Sequence, residues 1–380
     1  VVEDRGPGQH RFRDDFDTVV CIQIDLDLAA ELQMRRSFVH CAQRAACGWL
    51  ICGGDRLIGV IQHRNPLGLL RALRGEGQLL PALFSGSPCA GGTYSKDTAR
   101  AIIAHAAALN IDVMPEIEAP AHALALAAIY PETRDPGDNG SEMSVQGYTG
   151  NALNPAMPKT WEVLETIVDE ISALFPFNNL HLGCDELPEH TWMSSPRARS
   201  LMAEHGLTTT QDLQGWTIAK LAAYAVSHGQ RPAAWEEAAQ GCNGGIGNNA
   251  ILFSWTGQGP GLKAARAGYD VVMTPAQNVY LDMAHTNDPD DWGASWAAFV
   301  DLADTINWDP VPDPELADRI IGVQGAFWSE FTTQDAQMWP MLMPRMLGVA
   351  MMAWQSEQPN AGELAALAHR YIIDDTGRIV

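Results

Sequence analysis

The chain has 380 residues, of which 46% are hydrophobic, so it can bury a large core and extensive disorder is excluded. Its 24 basic and 46 acidic residues give a formal net charge of −22, which argues strongly against a nucleic-acid partner and weakly for a neutral or cationic substrate. No apolar run approaches the roughly 20 residues that a membrane-spanning helix needs.

The first 75 residues are the hardest part of the chain to assign. Apolar runs at Thr18 to Ile24 and Gly48 to Cys52 are typical of strands, but no regular alternation with helices follows them. The sequence begins at Val1 without a signal sequence. A trimmed leader would account for this start, and we expect a periplasmic or secreted location slightly more than a cytoplasmic one.

A regular alternation of helices and strands begins after residue 91. Ser95 is predicted to cap a helix with apolar positions at helical spacing, and Ile111 to Ile117 is predicted to form a buried strand. Pro120 should end regular structure and leave His122 in a loop. Thr160 is then predicted to cap a second helix that ends before Pro176.

The remaining apolar runs continue the same pattern to residue 354. Strands that alternate with helices pair in parallel through right-handed crossovers. Six strands are visible after residue 110, and the first 75 residues would supply the two more that a closed eight-stranded α/β barrel needs. The later strands are predicted at Asn179 to Cys184, Pro232 to Trp235, Ile251 to Trp255, Asp270 to Met273 and Ile320 to Phe327, and the later helices at 211–229, Leu262 to Ala267 and Met338 to Trp354.

Residues with chemical potential follow the ends of these strands, which is the face where barrel enzymes keep their sites. Three of the strand ends carry tryptophan, whose flat ring stacks on the apolar face of a sugar and excludes water. We therefore predict a carbohydrate site at this face. The residues concerned are His122, Asp185, Glu186, Trp235, Trp255, Tyr280, Asp282, Trp328 and Glu330.

Asp185 and Glu186 form the most informative pair, because an apolar run ends abruptly on two adjacent carboxylates. Neighbouring residues are poorly placed to flank one scissile bond as an ordinary acid and nucleophile pair. We expect the glutamate to donate a proton and the aspartate to orient a group of the substrate. His181, inside the same apolar run, is predicted to be a packed core residue.

The segment His181 to Trp192 (HLGCDELPEHTW) resembles the His-x-Gly-Gly-Asp-Glu signature of family 20 glycoside hydrolases, the β-N-acetylhexosaminidases. The resemblance covers roughly residues 80 to 355. Further blocks similar to those of the family occur in the same order: Met114 to His122 (MPEIEAPAH), Trp235-Glu236-Glu237, Tyr280-Leu281-Asp282, Ser295-Trp296, Gln324 to Glu330 (QGAFWSE) and Pro344-Arg345.

The resemblance implies a TIM (β/α)8 barrel, irregular or incomplete in its first two strands, that removes terminal β-linked N-acetylglucosamine or N-acetylgalactosamine with retention. It implies no cofactor and no metal. The implied catalytic residues are Glu186 as general acid, Asp185 on the acetamido N–H, Tyr280 on the acetamido oxygen, and His122. The implied sugar-binding residues are Trp235, Trp255, Asp282, Trp296, Trp328 and Glu330.

Residues 1–75 are where the chain departs from this family. Its members carry a sugar-gripping arginine and a His-x-x-Asp-Asp-type loop in their first two strands, and we find neither here. One hypothesis is a frame error in this segment, and the other is real divergence. We predict a poorly family-like segment over 1–75, a catalytic barrel over 76–360 and a tail over 361–380.

Two further hypotheses compete with hydrolysis of N-acetylhexosaminides and chitooligosaccharides. One is a weakened or silent barrel that binds N-acetylated sugars, which the missing first-strand residues would favour. The other is a metal-dependent hydrolase that uses His181, Asp185 and His190, although their spacing matches no familiar metal motif. The sequence does not indicate an oligomeric state.

Overall fold

The computed structural model describes residues 19–25, 52–53, 56–62, 96–108, 111–145, 147, 149–328, 335–354 and 360–371. These residues fall into two compact units, one drawn from Val1–Val60, Ala104–Val113 and Ser254–Val380, and the other from Ile61–Ile103 and Met114–Phe253. We call them the aromatic unit and the acidic unit, respectively, after the predicted site residues that each contains.

Every strand predicted after residue 110 is present. Each is short and largely buried, as expected for strands of a parallel sheet. Within the described residues the strands are β1 (Val19–Asp25), β2 (Cys52–Gly53), β3 (Arg56–Gln62), β4 (Ile111–Glu116), β5 (Asn179–His181), β6 (Arg231–Trp235), β7 (Ile251–Ser254), β8 (Asp270–Met273) and β9 (Ile320–Phe327).

Helices fill the intervals between the strands. Those of the described residues span Lys96–Ala107, Leu124–Ile129, Pro158–Leu174, Pro196–His205, Thr210–Ser227, Gln258–Arg266, Ala276–Val279, Leu302–Ile306, Asp335–Leu342, Arg345–Trp354 and Ala361–Tyr371. In the part of the chain that the structure describes, none of these helices combines the length and the apolar character required to cross a lipid bilayer.

The strands of the acidic unit pair in parallel and in a tight register. Glu116 pairs with His181, His181 with Ala233, and Trp235 with Phe253. The carboxyl ends of β4, β5, β6 and β7 therefore present side chains at the same level.

The helix Pro158–Leu174 buries one face, which carries the apolar residues Val163, Leu164, Ile167, Val168 and Ile171. The prediction that Thr160 caps this helix is wrong. Pro158 opens the helix, as proline often does, because the first turn needs no N–H partner. Thr160 is a buried residue of the first turn, and its hydroxyl donates to the carbonyl oxygen of Asn154 at 2.7 Å.

In the aromatic unit, β9 pairs in parallel with both β1 and β8. The single apolar helix predicted for Met338 to Trp354 is in fact two, Asp335–Leu342 and Arg345–Trp354. Pro344 stands between them and cannot donate the backbone hydrogen bond that a continuous helix would require there. The second helix therefore begins at Arg345. The side chain of Arg345 is fully buried.

Candidate active site

The acidic pair lies on a tight turn that follows β5. The predicted strand Asn179 to Cys184 is shorter than expected, because Gly183 and Cys184 adopt left-handed backbone angles, with φ of 67° and 84°. Gln214 holds the turn by donating from its side-chain amide to the carbonyl oxygen of Cys184 at 2.8 Å. Strained backbone of this kind is typical of functional sites. Here the strained turn determines the positions of Asp185 and Glu186.

Gly183 is required in this turn for space as well as for conformation. A Cβ atom there would overlap the carboxylate of Glu118. We expect Gly183→Ala to lower the free energy of unfolding by about 2–4 kcal/mol, from the left-handed conformation together with overpacking. Denaturant unfolding of the purified variant measures this loss.

Gly206 provides the matched control for that substitution. It has nearly the same φ, 68°, at the end of the helix Pro196–His205, but a Cβ there would meet nothing within 4 Å. Gly206→Ala should therefore cost only the conformational part, about 1–2 kcal/mol. Equal losses in the two variants would contradict the steric role of Glu118.

His122 joins the two carboxylates into one cluster. Its Nε2 atom lies 3.2 Å from Asp185 Oδ2 and 3.2 Å from Glu186 Oε2, and the three side chains are 6%, 12% and 20% exposed. Burial lowers the pKa of His122, but the neighbouring charges of Asp185 and Glu118 and the hydrogen bonds to Asp185 and Glu186 outweigh it, so the pKa is raised well above 6.5. The shift favours the imidazolium form of His122 in this cluster.

The raised pKa of His122 makes stability depend on pH in a defined direction. A group whose pKa is higher in the folded state stabilises fully below its unfolded value, near 6.5, and loses that contribution as pH rises through the folded pKa. We expect the free energy of unfolding of the wild type to fall as pH increases above 6.5. His122→Gln should remove this part of the slope, and equal slopes in equilibrium denaturation from pH 6 to 9 would contradict it.

The metal hypothesis based on His181, Asp185 and His190 receives no support. The one set of three ligand-type side chains that converges in the described residues is His122, Asp185 and Glu186, with ligand atoms within 4.8 Å of one another. His190 is exposed, whereas His181 is buried.

A second layer of side chains lies at the ends of β4 to β7. His181 Nδ1 is 3.0 Å from Glu116 Oε1, and the indole Nε1–H of Trp235 donates to the same oxygen at 2.9 Å. The rings of His181, Trp235 and Phe253 pack edge to face, with centroids 5.0 to 6.1 Å apart. His181 is therefore a packed core residue, as predicted, and Trp235 is only 1% exposed.

Tyr280 is the centre of an aromatic cluster in the aromatic unit. Its ring lies 6.4 Å from Trp255 in a nearly parallel arrangement, 5.8 Å from Trp296 and 6.0 Å from Trp328. Tyr280 is buried, whereas Trp296 is 59% exposed. The cluster can therefore offer an exposed aromatic face beside a buried phenol, which suits the binding of a sugar ring.

Arg345 holds the segment that carries Tyr280 and Asp282 through hydrogen bonds to its backbone. Its guanidinium donates to the carbonyl oxygens of Leu281, Met283, Val300 and Met341 at 2.6 to 3.0 Å. Two of these carbonyls flank Asp282, which is itself 4% exposed. The sequence showed Arg345 only as part of a family-like block and gave no sign of this role.

The structure thus brings the predicted site residues together in two groups. His122, Asp185 and Glu186 form one, and Tyr280, Trp255, Trp296 and Trp328 form the other. Trp235 packs against His181. Glu330 lies outside the described residues.

Solved structures with a similar fold define the class of this protein. The crystal structure of a GH20 exo β-N-acetylglucosaminidase from Vibrio harveyi, in complex with N-acetylglucosamine, superposes with a TM-score of 0.80 at 26% identity, covering 93% of this chain and 57% of that one. A β-N-acetylhexosaminidase from Bacteroides fragilis matches in fold with a TM-score of 0.70 at 23% identity, covering 94% of this chain and 70% of that one. The fold is of the TIM-barrel type, as predicted.

Sequence comparisons then identify the family. The family model described as glycosyl hydrolase family 20, catalytic domain, matches residues 72–357. A β-hexosaminidase of Vibrio furnissii is 36% identical in an alignment of 265 positions that covers 68% of this chain. One of Vibrio vulnificus is 28% identical in an alignment of 393 positions, gaps included, that covers 87% of this chain. The chain therefore belongs to glycosyl hydrolase family 20.

The chain is shorter than these relatives. The matched region spans 43% of the Vibrio furnissii protein and 45% of the Vibrio vulnificus protein.

Proposed function

We propose that this protein is an exo-acting, retaining β-N-acetylhexosaminidase that removes terminal N-acetylglucosamine or N-acetylgalactosamine from N-acetylhexosaminides and chitooligosaccharides. The observation that carries the proposal is the cluster of His122, Asp185 and Glu186, with both carboxylates 3.2 Å from one imidazole nitrogen. Family membership and relatives named β-hexosaminidase support the substrate class.

Glu186 is the proposed general acid. It donates its proton to the glycosidic oxygen while the bond from that oxygen to the anomeric carbon breaks. The resulting carboxylate lies within hydrogen-bonding distance of His122, whose raised pKa keeps a proton on the imidazole to stabilise it. The leaving sugar departs as a neutral alcohol.

Neighbouring-group attack by the substrate replaces an enzyme nucleophile in this proposal. The acetamido oxygen attacks the anomeric carbon and closes an oxazolinium ring. Two sequence-adjacent carboxylates suit this mechanism better than a double displacement, in which an acid and a nucleophile flank the scissile bond. Asp185 accepts a hydrogen bond from the acetamido N–H, and Tyr280 donates one to the acetamido oxygen. Glu186 then takes a proton from water, which opens the ring and restores the β configuration.

The other predicted residues bind the sugar. Trp235, Trp255 and Trp328 are assigned to the walls around the acetamido group and the sugar ring, and the exposed Trp296 is the proposed platform for the leaving sugar. Asp282 and Glu330 are assigned to sugar hydroxyls.

We also propose that residues 76–360 form the catalytic barrel and that 361–380 are a tail outside it.

A paired assay tests the proposed function. The protein should release nitrophenol from both nitrophenyl N-acetyl-β-glucosaminide and the corresponding galactosaminide, and a thiazoline analogue of the oxazolinium ring should inhibit both reactions. Proton NMR should detect the β anomer as the first product. If neither substrate releases nitrophenol, the proposal is contradicted.

A silent sugar-binding barrel is the second candidate, because we find neither the sugar-gripping arginine nor the aspartate loop of the family in residues 1–75, and the match to the family model begins at residue 72. Calorimetry distinguishes the two functions. Binding of N-acetylglucosamine without any hydrolysis would favour this candidate over the enzyme.

A further inference from the structure

We propose that Glu116 and His181 are positioning residues that fix the indole of Trp235 and thereby set the selectivity of the site for the length of the N-acyl group. The inference rests on the proposed function, in which Trp235 walls the acetamido group. It concerns two residues for which the catalytic scheme above has no role.

The first step is the geometry of one carboxylate oxygen. Glu116 Oε1 lies 3.0 Å from His181 Nδ1 and 2.9 Å from Trp235 Nε1, so a single carboxylate oxygen contacts a nitrogen of each ring. The side chains of Glu116 and His181 are 1% and 2% exposed, so water does not compete for these contacts. A buried carboxylate oxygen that accepts the indole N–H holds the indole in a defined direction.

The second step is the position of His181. Its Nδ1 atom lies 3.0 Å from Glu116 Oε1 and accepts a hydrogen bond from the N–H of Gly183 at 3.2 Å. The imidazole is therefore held between the carboxylate and the backbone of the turn that follows β5. Burial lowers the pKa of His181 to about 4, so the ring remains neutral at physiological pH.

The third step concerns what holds the indole of Trp235. Its N–H is fixed by Glu116, and its ring packs edge to face against His181 and Phe253, at centroid distances of 5.1 and 6.1 Å. Strand register supports this arrangement, because Glu116 pairs with His181 and Trp235 pairs with Phe253. The indole therefore has little freedom to rotate away from a bulkier N-acyl group.

A rigid wall should discriminate between N-acetyl and N-propionyl sugars, which differ by one methylene. One methylene in an apolar pocket is worth about 10- to 200-fold in kcat/KM. If the indole is released from Glu116, it can move to admit the extra methylene, and the discrimination should fall. The ratio of the two substrates does not depend on how much of a preparation is correctly folded, so general destabilisation would not change it.

Two matched pairs of variants separate the hydrogen bonds from packing. Glu116→Met removes the acceptor, whereas Glu116→Gln can retain an oxygen at the same place. His181→Phe keeps an aromatic ring but removes both nitrogens, whereas the amide of His181→Asn retains a polar group beside Glu116 and the N–H of Gly183. The measured quantity is the ratio of kcat/KM for the nitrophenyl N-acetyl glucosaminide to kcat/KM for the N-propionyl glucosaminide. We expect this ratio to fall by about tenfold or more in the Met and Phe variants, and to be at least partly restored in the Gln and Asn variants.

The controls distinguish failure of this inference from failure of the proposed function. If the wild type hydrolyses the N-acetyl substrate but all four variants keep the wild-type ratio, the inference is wrong and the function stands. If the wild type binds without hydrolysis, the same ratio is measured by calorimetry with N-acetylglucosamine and N-propionylglucosamine, with the same expected pattern. A wild type that neither hydrolyses nor binds these sugars overturns both.

Discussion

Glu186→Gln is expected to reduce kcat on nitrophenyl N-acetyl-β-glucosaminide by about 10²- to 10⁴-fold, the range that positioned acid–base catalysis supplies. Glutamine is almost isosteric with glutamate but can neither donate a carboxylic proton to the leaving oxygen nor activate water. The side chain is partly exposed beside His122, so the substitution adds no volume to the core. Steady-state kinetics measure the loss, and denaturant unfolding should show a folded protein.

The loss should also depend on the leaving group. Nitrophenolate departs with little help from an acid, whereas the sugar alkoxide of a chitooligosaccharide needs full protonation. Chitobiose should therefore suffer a larger decrease than the nitrophenyl substrate. Glu189→Gln, the same change at an exposed position three residues later, is the matched control and should leave both rates near those of the wild type. Unchanged turnover in Glu186→Gln would refute the assignment of the acid.

Arg345→Met is expected to cause the largest loss of stability, about 3–5 kcal/mol of the free energy of unfolding. The side chain is fully buried, and its five hydrogen bonds serve carbonyl oxygens that would then lie in a dry interior without these donors. Burial lowers the pKa of Arg345 to about 10 while the charges of Asp282, Asp291 and Asp301 oppose that change, so the group is charged at neutral pH. Denaturant titration measures the difference.

Arg319→Met is the matched control for Arg345→Met. Arg319 pairs with Asp270 at 3.1 Å, but its side chain is 49% exposed, and such surface pairs contribute about 0–1 kcal/mol. If Arg345→Met does not fold, Arg345→Lys retains the charge and fewer donors and should still lose more stability than Arg319→Met. Similar losses at the two positions would contradict the role of the buried guanidinium.

The sequence predicted most of the strands because parallel strands are short apolar runs, and the runs at Ile251 and Ile320 are of that kind. It was less accurate at boundaries. The strand predicted to extend to Cys184 ends at His181, because the turn that carries Asp185 has left-handed backbone at Gly183 and Cys184. No periodic pattern records a turn of this kind.

Within the candidate site, the adjacent carboxylates Asp185 and Glu186 could be recognised from one motif. The contact of both carboxylates with His122 joins residues far apart in the chain and required the structure. The contacts of Glu116 and Arg345 were missed. Glu116 meets His181 only through strand register, and Arg345 binds backbone carbonyls, which leave no trace in side-chain composition.

In the proposed mechanism the substrate's own amide oxygen is the nucleophile, and Asp185 and Glu186 assist it. The most direct test is to measure kcat/KM for nitrophenyl glucosaminides whose N-acyl group carries none, one, two or three fluorine atoms. Each fluorine withdraws electrons from the amide oxygen, so kcat/KM should fall steeply and monotonically along the series. Rates that are independent of fluorination would contradict it.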